Sequence, residues 1–66
     1  MRTDDRPRDI RQQLGIPLIA AAVSAGVAEG TARVYEADRD AVNPRSRARL
    51  DRYYSALRAR AGGEAR

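Results

Sequence analysis

The sequence predicts an all-α fold, a small domain of four short helices. Strand signals are missing: Phe and Trp are absent, and no segment alternates apolar and polar residues with period two. Ala and Arg, both good helix formers, dominate the composition. Proline and glycine punctuate the 66 residues into four stretches with helical periodicity.

The first helix is expected over about 5–14, with Pro7 in its first turn, Ile10 and Leu14 as an i, i+4 apolar pair, and Gly15 ending it. The second is expected over about 17–24. Pro17 suits the first helical position, Gly26 supplies the left-handed residue past the end, and Leu18, Ile19, Ala22 and Val23 form one apolar face. In the third, over about 28–37, Ala28, Ala32 and Tyr35 recur at i, i+4, i+7 and should face the core, leaving Glu29, Arg33 and Glu36 to point elsewhere. The fourth, over about 44–60, has the clearest start: Asn43 is a strong N-cap and Pro44 follows at the first helical position. Leu50, Tyr54 and Leu57 make its apolar stripe, which places Tyr53 about 100° away, partly exposed and open to a dimer contact. Gly62 and Gly63 are expected to end the order, leaving 61–66 as a disordered tail after a domain spanning 1–60.

Composition bounds the function. A chain this short is one domain, buries only about 60% of its unfolded surface, and commonly gains stability by oligomerising. It has neither Cys nor His. Disulfides and the usual zinc sites are thereby excluded, as are the usual nucleophile and base of hydrolytic catalysis. No enzyme, catalytic residue, metal or cofactor is expected. No apolar run approaches the ~20 residues of a membrane span and the start is polar, so a soluble cytoplasmic protein without membrane contact is the expectation. The net charge is +4, and all 13 basic residues are Arg. The guanidinium fork pairs bidentately with phosphate and stacks on bases, which favours nucleic acid as partner. A codon bias toward Arg would equally explain the missing Lys.

The centre of the sequence is Ala22-Val23-Ser24-Ala25-Gly26-Val27. A small residue at Ala22 lets a following helix pack close, Gly26 provides the positive φ that reverses the chain, and Val27 plugs the angle between the helices. This is the layout of a helix-turn-helix. From Ala25 to Leu50 the chain resembles the DNA-binding headpiece of the lac-repressor (LacI) family. The resemblance is carried by Ala25, Gly26, Val27 and Thr31, and then by Val42, Asn43, Pro44, Ser46, Arg47, Arg49 and Leu50, without a gap over 26 residues. The V-N-P-x-S-R-x-R-L half is the more specific part. Upstream, Ile10-Arg11, Leu14-Gly15-Ile16, Ala22 and Gly26-Val27 resemble the related Cro and phage-repressor type. Both groups belong to the lambda-repressor-like superfamily, and together the resemblances cover about residues 8–57.

The resemblance implies that the third helix enters the major groove with Ala28, Glu29, Gly30, Thr31 and Arg33 at its reading end. Thr31 would donate to a phosphate, Arg33 would read guanine, and Glu29 would either accept from a cytosine amino group or serve as an acid at the helix N-terminus. Asn43, Arg45, Ser46 and Arg47 would approach the DNA backbone; alternatively Asn43 and Ser46 only cap the fourth helix while the arginines coat it. Three departures from the family pattern stand out. Ala28 replaces the usual Ser, Gly30 has no side chain where a base reader is common, and 28–40 carries four acids against two arginines. Residues 42–60 carry six arginines and one Asp. The leading expectation is therefore a stand-alone helix-turn-helix protein, a transcriptional repressor or phage or mobile-element regulator, binding double-stranded DNA at a two-fold operator as a homodimer. With the lac-repressor hinge and effector domain absent, no small-molecule effector is expected. The runner-up is a protein–protein interaction module on the same fold, an antiactivator or host-factor inhibitor.

Overall fold

A computed structural model of the chain describes residues 6–64. They form four α-helices, α1 (Pro7–Gln13), α2 (Leu18–Ala25), α3 (Glu29–Ala37) and α4 (Pro44–Glu64), with a single 3-10 turn (Arg39–Ala41) between α3 and α4. No strand occurs among the described residues. The fold is all-α.

Two glycines make the corners. Gly15 has φ +69° and Gly26 φ +80°. At the first corner the Gly15 N–H donates to the Gln12 carbonyl and the Ile16 N–H to the Arg11 carbonyl. At the second, the Gly26 N–H donates to the Val23 carbonyl and the Val27 N–H to the Ala22 carbonyl. Both are Schellman endings, in which a left-handed residue lets two N–H groups turn back and satisfy carbonyls the helix leaves free. The second corner joins α2 to α3 through three residues, Gly26 to Ala28.

Several boundaries differ from the sequence expectation. Helix α1 begins at Pro7, and Asp5 lies outside the described residues. Pro17 is the N-cap of α2 and not its first residue: its ψ of 153° is extended, while its carbonyl already accepts from the Ala21 N–H. Gly62 and Gly63 do not end α4, which runs on to Glu64. Glycine lowers helix propensity by about 1 kcal/mol but does not forbid propagation from a helix already formed. The last two residues of the expected tail lie outside the described ones.

The core forms where the faces of all four helices meet. Ile10 of α1, Ala22 of α2, Ala32 and Tyr35 of α3, and Leu50, Tyr54 and Leu57 of α4 are buried, with Val42 closing the side before α4. The Tyr35 and Tyr54 rings stack in parallel, centroids 5.4 Å apart and planes 6° from each other. Tyr53, half-buried, meets Tyr54 edge-on at 5.3 Å. On α2 the expected apolar face is only half right. Ala21 and Ala22 are fully buried, whereas Ile19 is 51% and Val23 71% exposed. The alanines allow the close approach of α2, and the 100° step per residue then carries 19 and 23 outward. Ala28 is exposed as the N-cap of α3 and does not face the core.

Glu36 is also corrected: it points inward. The Arg11 guanidinium donates to both of its carboxylate oxygens, at 2.7 and 2.9 Å, and the Tyr54 hydroxyl donates to it as well. A third Arg11 donor reaches the Ile16 carbonyl at 2.9 Å. Burial alone would raise the Glu36 pKa; the hydrogen bonds from Arg11 and Tyr54 more than offset it and hold the carboxyl below its usual range. Burial, followed by the bond to Glu36, pushes the Tyr54 hydroxyl up. A second network lies nearer the surface: the Tyr35 hydroxyl donates to Asp51 at 2.6 Å, and Arg39 pairs with the same carboxylate through two bonds of 2.9 and 2.6 Å.

Candidate nucleic-acid interface

Helix α3 turns Ala32, Tyr35 and Glu36 inward, so Gly30, Arg33, Val34 and Ala37 form its outer face. Its N-cap, Ala28, makes no side-chain cap bond, since a methyl group has no acceptor to offer. Beside this end of α3 begins α4. There the Asn43 Oδ1 accepts from the Ser46 N–H at 2.9 Å, a regular N-cap that leaves the Asn43 amide group as a donor. The 3-10 turn connects the two, capped by Asp38, whose Oδ1 accepts from the Asp40 N–H at 3.2 Å.

Between these ends lies an open groove of about 360 Å³. Ala28, Gly30, Thr31 and Val34 line it from the α3 side; Ala41, Val42 and Asn43 line it from the α4 side. Four of the residues expected to meet DNA, Ala28, Gly30, Thr31 and Asn43, thus share one concavity. Its lining carries no charged side chain.

The other expected residues are distributed around it. Glu29 and Arg33 pair with each other, Arg33 Nη2 to Glu29 Oε2 at 3.2 Å, one turn apart on the surface. Such an exposed i, i+4 pair is worth only a few tenths of a kcal/mol and does not lock either side chain. Arg33 borders a different depression, with Arg8, Glu36 and Ala37. Arg45 is exposed and has no ion-pair partner among the described residues. Ser46 is half-buried and meets Asn43 through its backbone N–H. Arg47 is half-buried, with its Nη1 3.8 Å from Asp40.

The excess of acid over 28–40 overstates the negative charge this face presents. Glu36 is spent on Arg11, Glu29 faces Arg33, and Asp40 lies between Arg39 at 3.7 Å and Arg47 at 3.8 Å. One residue at the site escaped the sequence reading. Val34, 43% exposed, lines the groove where Arg33, the expected guanine reader, does not; its spacing of four from Gly30 was the available signal. Arg49 reaches back to the corner, its Nη1 donating to the Gly26 carbonyl at 3.1 Å, and so ties α4 to the turn between α2 and α3.

Among the described residues, no group of three or more acidic, His or Cys side chains could hold a metal ion. No helix there is long and apolar enough to cross a membrane. Comparisons with protein-family models, with curated proteins and with solved structures give no match.

Proposed function

We propose that this chain is a helix-turn-helix DNA-binding protein. In this reading α2 and α3 form the motif, and α3 approaches the major groove with the groove-lining residues Gly30, Thr31 and Val34. The observation that carries the reading is the common groove: the start of α3 and the start of α4, distant in sequence, bring Thr31 and the Asn43 amide to one concavity flanked by the exposed Arg45. Hydroxyl, amide donor and guanidinium are the groups that hold phosphate and fix a protein on a duplex. The protein acts as a repressor or as a phage or mobile-element regulator. A single domain of this size offers little contact area, so it binds a two-fold site as a homodimer.

Selection of bound duplexes from a random pool at low salt tests the proposal. A DNA reader enriches a palindrome; an unenriched pool refutes sequence-specific binding. The second reading, a protein-interaction module, is favoured by one specific observation: Ile19 and Val23 are exposed at 51% and 71%, one turn apart on α2. On that reading the double variant Ile19→Ser/Val23→Ser loses a protein partner and leaves duplex binding unchanged.

A further inference from the structure

The groove beside α3 is uncharged, and this restricts which base edge it suits. Guanine presents two acceptors in the major groove and calls for a donor fork; adenine calls for a bidentate amide; cytosine calls for an acceptor. None of these stands at the exposed positions of α3 that line the groove: Gly30 has no side chain, and Val34 offers only methyl groups, 43% exposed, while the half-buried Thr31 between them is the phosphate donor of the reading above. Arg33, the one guanidinium on α3, lines a separate depression with Arg8 and Glu36 and pairs with Glu29. Across the groove the Asn43 Oδ1 accepts from the Ser46 N–H, which holds this amide as a helix cap and leaves its N–H group as a donor suited to a phosphate oxygen. Thymine alone presents an apolar group in the major groove, its 5-methyl.

We propose that Val34 is a specificity-determining residue that packs against a thymine methyl, so that the duplex bound by this protein carries a T·A pair opposite α3. The missing side chain at Gly30 lets the base edge come close, since nothing stands within 4 Å of where a Cβ there would be. This inference rests on the DNA-binding reading and adds to it the base that is read.

The test uses the duplex enriched from a random pool at low salt, with each thymine replaced in turn by uracil, which removes the methyl and nothing else. Loss of one buried methyl predicts about a fourfold weakening at one position per half-site. In Val34→Ala that same substitution has no effect, while thymine and uracil duplexes bind alike. Val34 is exposed, so the variant folds, and an unchanged melting curve checks this. If the wild-type protein binds the enriched duplex and no uracil substitution weakens it, or if the uracil effect persists in Val34→Ala, the inference fails and DNA binding stands. If no duplex is bound at all, both fail together.

Discussion

Arg11 and Glu36, 25 positions apart in the sequence, form a two-pronged ion pair with side chains only 11% and 8% exposed. The pair fastens α1 to α3, and the Tyr54 hydroxyl brings α4 into the same contact. A two-pronged pair supplied with further hydrogen bonds compensates the desolvation of its charges, but removing one partner leaves the other buried and alone.

Glu36→Gln is therefore expected to cost about 3 kcal/mol of folding stability, a large part of what a domain of this size holds. Arg11→Met/Glu36→Met should be more stable than the Glu36→Gln single variant, because it leaves no unpaired charge. Urea unfolding followed by circular dichroism measures both. Equal stability of wild type and Glu36→Gln would mean that the pair does not hold the helices together.

The same groups set the response to pH. Glu36 lies below the usual carboxylate range, and Asp51 does too, chiefly through its hydrogen bonds from Arg39. Their contribution is complete above the unfolded values near 4 and is lost as pH falls through the folded ones. Tyr35 is pushed up to about 12 by burial and by its bond to Asp51, and Tyr54 is raised as well. Their contribution is complete below the unfolded value of about 10 and is lost as pH rises through the folded ones. With no His in the chain, the melting temperature should be nearly flat from about pH 5 to 9 and fall on both sides. A steep slope inside that window would contradict the assignment.

Two glycines should respond in opposite directions to the same change. Gly26→Ala places a Cβ at φ +80° and is expected to destabilise by about 1 kcal/mol or more. Gly30 lies within α3, where an added Cβ meets open space, so Gly30→Ala should stabilise by about 1 kcal/mol. Thermal melts of the two variants report the signs directly. The same sign for both would show that the Gly26 corner is not held as described.

The N-cap of α3 offers a further variant. Ala28 makes no side-chain cap bond, and Ala28→Ser is expected to add about 1 kcal/mol of stability. On the DNA-binding reading it also adds a phosphate donor and tightens duplex binding. A melting temperature that does not rise would contradict the assignment of Ala28 as N-cap.

The corners were legible in the sequence because their cause is local. A left-handed glycine after an apolar helix needs no distant partner, and the Asn43-Pro44 start of α4 is equally self-contained. The inward turn of Glu36 was not legible, because it depends on Arg11 of another helix and a local pattern counts any carboxylate as surface. The α2 face was ambiguous for a different reason. Leu18 to Val23 is apolar on every side, so periodicity alone does not say whether alanine 21 or isoleucine 19 meets the core. At the site, Arg33 drew attention as the one long donor on α3, whereas the groove is lined by Val34. Both are exposed; which of them lines the groove is decided by the rotation of the helix against Tyr54 and Arg11, which only the packed structure reveals.

The most direct measurement of the central claim is the affinity of the folded protein for its enriched duplex as salt rises from about 50 to 200 mM, for wild type and Arg45→Ala. Binding through the α3–α4 groove predicts a linear fall of log affinity with log salt. In Arg45→Ala that slope should be shallower by about one and the affinity lower for every sequence tested. A folded protein that binds no duplex at the lowest salt, or whose binding ignores both salt and Arg45, would contradict it.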